Sequence, residues 1–147
     1  MKSIFFILCM SISLFSFAQD TSPVKWNFSS KKGNNPNEYI ITAKAKIQDG
    51  FHVFAPEPGG DGLLIPTEMS ITNKETVKKI GSLTPQRRPI TKEMTGIGMV
   101  NYYEGEIEFN MTVELPSPIT ITGIMSSQAC NDKMCFPPTD IEFKLKL

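Results

Sequence analysis

Residues 106–115 read Glu106-Ile107-Glu108-Phe109-Asn110-Met111-Thr112-Val113-Glu114-Leu115. Apolar and polar side chains alternate without a break. In an extended chain successive side chains point to opposite faces, so this stretch has one dry face and one wet face. The same period returns in residues 38–47, where Tyr39, Ile41, Ala43, Ala45 and Ile47 oppose Thr42, Lys44 and Lys46. It returns again at the C-terminus, where Ile141, Phe143, Leu145 and Leu147 oppose Glu142, Lys144 and Lys146. Strands with one solvated face belong to antiparallel sheets packed on a core.

Working outward, shorter strands are expected at residues 24–28, 51–54, 67–72, 77–80, 100–103 and 119–126. Turn signals separate them: Gly33-Asn34-Asn35-Pro36, Asp49-Gly50, Glu104-Gly105 and Pro116-Ser117-Pro118. No window of a dozen residues carries a helical period. Many short strands with short turns predict an all-β, immunoglobulin-like antiparallel β-sandwich. No internal repeat and no linker divides the chain. Two stretches do not read as strands. Residues 55–66 are rich in Gly and Pro, and residues 85–98 mix charge with Met94, Gly96, Ile97 and Gly98. Loops of this length in compact domains are usually functional or mobile.

The chain has 147 residues, with 15 basic and 15 acidic side chains. One domain fits that length. The balanced charge argues against a nucleic-acid binder, which shows a basic excess or stripe. The count of 3 Cys is odd, and in an exported chain an odd cysteine signals a free thiol or an intermolecular bridge. The first residues bear on that. Lys2 precedes an apolar run from Ile4 to Phe17, and Ser16 and Ala18 stand at the small-residue positions of a cleavage site. The run is too short for a membrane span. Residues 1–18 are therefore expected to be a signal peptide that carries Cys9 away. Residues 19–147 remain as one domain holding Cys130 and Cys135, with no other apolar run able to cross a membrane. Such a chain is exported to a compartment where a disulfide persists.

The segment that bears chemistry is Ser127-Gln128-Ala129-Cys130-Asn131-Asp132-Lys133-Met134-Cys135-Phe136-Pro137-Pro138. If one strand reaches Cys130 and the next leaves from Cys135, the residues between them form a hairpin turn. A disulfide can close its neck where the Cα atoms come within roughly 4.4–6.8 Å. A ring this small constrains the unfolded chain less than a bridge between distant strands. Three uses of the pair stay open on spacing alone: thiol–disulfide exchange, a local structural staple, and a metal site. A structural zinc needs four ligands, and beyond the two cysteines the chain offers one His, His52. His52 lies in an alternating strand, which suits a packed or half-exposed side chain. Met69, Met94, Met99, Met111, Met125 and Met134 are scattered, and Met111 belongs to a core stripe, so Met as core filling outweighs a copper(I) site.

Cys130-Asn131-Asp132-Lys133-Met134-Cys135-Phe136-Pro137-Pro138 resembles the active-site hairpin of the N-terminal periplasmic domain of the thiol:disulfide interchange protein DsbD. That family pairs two cysteines across a short acidic turn, followed by an apolar residue and Pro-Pro. Asp49-Gly50-Phe51-His52-Val53-Phe54 is similar to its early aromatic strand. Gly59-Gly60 through Ile65-Pro66-Thr67 is similar to the form found in Bacteroidetes members, and Asn101-Tyr102-Tyr103-Glu104-Gly105 to the strand and turn after its cap loop. The resemblance spans residues 24–147.

The resemblance implies an immunoglobulin-like sandwich with a redox-active Cys130–Cys135 pair. It implies that the pair accepts electrons from a thioredoxin-like donor and passes them to periplasmic, disulfide-bearing substrate proteins, an electron-carrier type of oxidoreductase. Cys135 takes the place of the nucleophile that forms mixed disulfides, and Cys130 that of the resolving partner. Lys92-Glu93-Met94-Thr95-Gly96 takes the place of the family's cap loop, which shields the disulfide. Met94 stands where the family usually has an aromatic residue, and the family's acidic pair is reduced to Glu93 beside Lys92. The turn is one residue shorter than in well-known members. Asp132, Phe136, Pro137 and Pro138 complete the hairpin and its flank. No cofactor and no metal are implied. The family's membrane conduit and thioredoxin-like domain are not in this sequence, so the expected donor is a separate protein. The alternative is a non-catalytic β-sandwich that binds a protein, with a structural hairpin disulfide.

Overall fold

A computed structural model describes residues 22–147. The expected signal peptide and Cys9 lie outside the described residues. Among the described residues twelve strands form three sheets, and every pairing is antiparallel. The first sheet runs β1 (Val24–Lys32), β2 (Glu38–Ile47), β9 (Glu106–Glu114) and β5 (Lys79–Ile80), with β6 (Thr84–Pro85) also on β9. The second runs β12 (Thr139–Lys146), β10 (Thr120–Ser127) and β4 (Glu68–Ile71). The third runs β11 (Ala129–Cys130), β3 (His52–Gly59), β8 (Gly98–Tyr103) and β7 (Ile90–Met94).

The two long alternating segments meet each other. Ala43 lies opposite Phe109, Ile41 opposite Met111, and Ala45 opposite Ile107. All six side chains are buried. A one-residue slip would turn the whole stripe to water, so burial itself sets the register. The stripe packs on residues from both other sheets, including Ile121, Met125 and Phe143 of the second and Val53, Ala55 and Tyr103 of the third. Aromatic pairs tie the layers together. Phe28 stacks on Phe143 at 4.7 Å, and Phe109 meets Tyr103 edge-on at 5.4 Å and Trp26 at 5.9 Å. The result is the expected immunoglobulin-like β-sandwich.

Two expected loops carry more order than their composition suggested. Residues 55–66 were expected as one loop, yet β3 continues through Pro56 and Pro58 to Gly59. Proline cannot donate to a ladder and is tolerated where the ladder breaks. The β3–β8 register shifts between Phe54 and Gly59, just across the two prolines. Asn101 repairs the gap by donating its side-chain amide to the Glu57 carbonyl at 3.0 Å, and buried Thr67 donates its hydroxyl to the Phe54 carbonyl at 2.6 Å. Residues 85–98 were also expected as a loop. Ile90–Met94 is instead an edge strand, and with β8 it makes a hairpin ribbon that turns through residues 95–97. It has no alternating dry face because Ile90 to Glu93 are all exposed.

Gln128 marks the step that places the site. The chain leaves the second sheet at Ser127 and enters the third at Ala129. Ala129 joins the main core, so the next residue, Cys130, falls on the opposite face of the third sheet. Because Phe109 holds that sheet through Tyr103, Phe109→Ala should destabilise the domain by about 3–5 kcal/mol. Denaturant unfolding of the oxidised protein measures this, and a loss under about 1 kcal/mol would contradict the packing described.

Candidate functional site

The third sheet is buried on both faces at β3. Val53 and Ala55 point into the main core. Phe54 points the other way, into a second, smaller cluster with Val100, Tyr102 and Cys130. Leu64, Met94 and Ile97 pack over this cluster. His52 shares the outer face with Phe54, their rings 5.4 Å apart, and lies 4.8 Å from the ring of Tyr102.

Cys130 and Cys135 are joined by a disulfide across an isolated antiparallel bridge, with their Cα atoms 4.0 Å apart. That separation is shorter than the usual disulfide span of roughly 4.4–6.8 Å. Local polar bonds shape the turn between them. The side-chain oxygen of Asn131 accepts from the amides of Lys133 and Met134, each at 2.9 Å. The Asn131 amide donates to the Met134 carbonyl at 2.9 Å. Asn is suited to this because its short side chain mimics a backbone turn. Below the disulfide, Phe136 donates its amide to Ala129 and accepts from the Gln128 side chain. The Phe136 ring meets Phe51 edge-on at 5.6 Å, which anchors the flank, while Pro137 and Pro138 are exposed.

The two cysteines are not equally buried. Cys130 is 2% exposed, sealed into the outer cluster, whereas Cys135 is an exposed residue. A cleft of about 490 Å³ opens beside them. Its floor is His52, Phe54 and the disulfide; one wall is the hairpin from Asn131 to Met134. The other wall is the turn of the β7–β8 ribbon, contributed by Lys92, Glu93, Met94, Thr95 and Ile97. The sequence-derived cap and cysteine pair therefore line one cleft. Gly96 does not line it; it makes the turn, with φ of 79°, a left-handed conformation suited to glycine. Met94 is half-buried against the outer cluster that contains Cys130.

The cleft lining includes residues that the sequence pattern does not single out. Leu64 and Ile97 both approach Gly60, where an added Cβ would come within 2.9 Å of Ile97 and 3.1 Å of Leu64. The glycine-rich segment thus seats the cap turn, a role no local pattern reveals. His52 was read as an ordinary strand residue, but it lies directly opposite Cys130 in the β3–β11 ladder.

Burial pushes the His52 imidazole below its ordinary pKa; Glu104 and Asp132 oppose that shift, and Lys92 adds to it. A cationic imidazole is disfavoured in the folded state, so unfolded chains bind more protons between the folded pKa and the unfolded value of about 6.5. Stability should therefore be complete above pH 7 and decline as pH falls below about 6.5. His52→Phe should remove this part of the decline. Denaturant midpoints at a series of pH values test it, and an unchanged slope in the variant would contradict it.

The chain matches the family described as "Thiol:disulfide interchange protein DsbD, N-terminal" over residues 19–147. Among solved structures it is similar to the N-terminal periplasmic domain of ScsB from Proteus mirabilis, with a TM-score of 0.65 and 17% identity over 88% of this chain and 49% of that one. The chain thus spans about half of the ScsB structure. It is also similar to the reduced DsbD N-terminal domain of Neisseria meningitidis, with a TM-score of 0.54 and 16% identity over 72% of this chain and 75% of that one. A third likeness is to a complex between the DsbD N-terminal and PilB N-terminal domains of Neisseria meningitidis, with a TM-score of 0.53 and 15% identity over 80% of each chain. At these identities the likeness is one of fold. No curated protein matches in sequence. Among the described residues no helix is long and apolar enough to cross a membrane. The match across residues 19–147 places this chain in the family of DsbD N-terminal domains.

Proposed function

We propose that this domain is a thiol–disulfide carrier of the periplasm, exchanging electrons through Cys130 and Cys135. It takes them from a thioredoxin-like donor and hands them to exported proteins that carry disulfides. The observation that carries this reading is the unequal burial of the two cysteines beneath a cap. Exchange requires an attacking thiolate to reach one sulfur in line with the bond. Cys135 is open to such an attack and Cys130 is closed to it. Cys135 is thus assigned as the sulfur that joins a partner, and Cys130 as the one that resolves the mixed disulfide.

Met94 and its ribbon supply selectivity. An uncovered disulfide reacts with any thiol that meets it, and an apolar side chain against the outer cluster narrows access to partners that can displace the ribbon. Met134 at the hairpin tip is 55% exposed, leaving an apolar contact beside Cys135 for a partner surface. The family membership and the relatives' periplasmic and partner-bound structures support thiol–disulfide exchange in general.

The ring is also weak as a staple. Its closure entropy corresponds to about 2 kcal/mol, against about 4.7 kcal/mol for a hundred-residue loop. A carrier must stay folded in both redox states, so the reduced domain should lose no more than about 2 kcal/mol. Paired unfolding curves in oxidised and reduced buffers measure this, and unfolding on reduction would contradict the carrier role.

Trapping tests the assignment directly. Cys130→Ser, expressed in the exporting host, should accumulate disulfide-linked adducts on a non-reducing gel, and Cys135→Ser should not. The reduction potential should fall among exchange proteins, about −120 to −270 mV. A potential below about −300 mV with no adducts would favour the non-catalytic binding module instead.

A further inference from the structure

We propose that His52 carries the proton of Cys130 during resolution, acting as its base in one direction and its acid in the other. The inference rests on the exchange reading above and extends it to a residue that this reading does not use.

The geometry starts from the ladder. His52 and Cys130 are direct partners in the β3–β11 pairing. Directly opposed residues share a face with their Cβ atoms about 4.5–5.5 Å apart. Both line the same cleft, and both are buried, at 8% and 2% exposure. A thiol buried in apolar surroundings holds its proton, and water has little access to Cys130, so resolution needs a nearby acceptor. The charged groups around the cleft are poorly placed to serve. Asp132, Lys133, Glu93 and Lys92 are exposed and already solvated. Glu104 is exposed as well and acts on His52 only through its field. Tyr102 packs its ring against His52. The imidazole makes no side-chain hydrogen bond among the described residues, so its nitrogens are not committed elsewhere. Burial keeps it neutral near pH 7, the form that accepts a proton.

The step balances as follows. A mixed disulfide joins Cys135 Sγ to a partner sulfur. Cys130 Sγ–H gives its proton to His52, and the thiolate electron pair forms the bond to Cys135 Sγ. The bond from Cys135 to the partner breaks, and the partner sulfur leaves with that electron pair as a thiolate, taking a proton from water. The two cysteines are oxidised to the disulfide and the partner disulfide is reduced to two thiols. The imidazolium then returns its proton to solvent. In the reverse direction a partner thiolate attacks Cys135, and imidazolium protonates Cys130 as it departs.

A chromogenic aromatic disulfide (dithiobis-nitrobenzoate) separates the steps in reduced protein carrying Cys9→Ser. The first chromophore release reports attack by Cys135, and the second reports resolution by Cys130. In His52→Gln the first should be unchanged. The second should be about a hundredfold slower near pH 7, the lower end of what a positioned base supplies. Its rate in the variant should keep rising with pH through the titration of the thiol itself, while the unsubstituted protein levels off above the imidazole titration. His52→Phe, which refills the aromatic site, should match His52→Gln. Since His52 is the one histidine of the chain, its ring signals in the unsubstituted protein are assigned without ambiguity. They should titrate differently in the oxidised and reduced states. Unchanged second-phase rates and pH profiles in both variants, or identical His52 titrations in the two states, would overturn the proposal. Absence of any second release from the unsubstituted protein would sink the exchange reading itself, a separate failure.

Discussion

The site depends on one constraint: the central strand β3 must be dry on both faces. Its inner face completes the sandwich core through Val53 and Ala55, and its outer face supports Phe54 and His52. An outer face of that kind needs a cover, which a two-layer sandwich does not supply. The β7–β8 ribbon, the glycine-rich segment around Leu64 and the cysteine hairpin supply it. The apolar cover over Cys130 is therefore also what hides the back of the sheet. Covering Cys130 and completing the fold are met by the same side chains, Met94, Ile97 and Leu64.

The inequality of the two cysteines follows from the same arrangement. The step from one sheet to the next at Gln128 sends Ala129 inward and Cys130 outward. The turn held by Asn131 then carries Cys135 out toward solvent. Polar bonds within the turn and the Phe136–Phe51 contact below it hold this geometry alongside the disulfide. The cap is moored at its base by Arg87, which donates to the Glu104 carbonyl and lies over the Tyr103 ring at 5.3 Å. Asn101 links its middle to the bulge in β3 by bonding both Thr91 and Glu57. The tip is held by the approach of Ile97 and Leu64 to Gly60 and by the Gly60 amide, which donates to the Met99 carbonyl at 2.9 Å.

How much of this was legible depends on whether a residue's role is local. The stripes at 39–47 and 107–115 are period-two patterns facing one core, and they read directly as strands. So did the Cys130–Cys135 hairpin, because turn residues and pairing lie within one short segment. β3 was only half legible, since a strand dry on both faces shows no alternation and two prolines interrupt it. The cap read as a loop because Ile90 to Glu93 face solvent on both sides and carry no pattern. His52 looked unremarkable because its meaning comes from Cys130, a partner far along the chain.

The closeness of the two cysteines has a consequence for how the chain reaches its fold. Their separation of 5 residues means the bond can close within a local turn before any sheet exists. It brings no distant segments together, and among the described residues it leaves no other sulfur with which to mispair. Oxidation therefore neither guides the search for the fold nor traps it. The larger loop-closure cost lies in the long-range pairings, such as β2 with β9 and β11 with β3. The cap ribbon, with its nearby strands, is assembled by local contacts. The described domain can thus reach its fold with the Cys130–Cys135 pair open or closed.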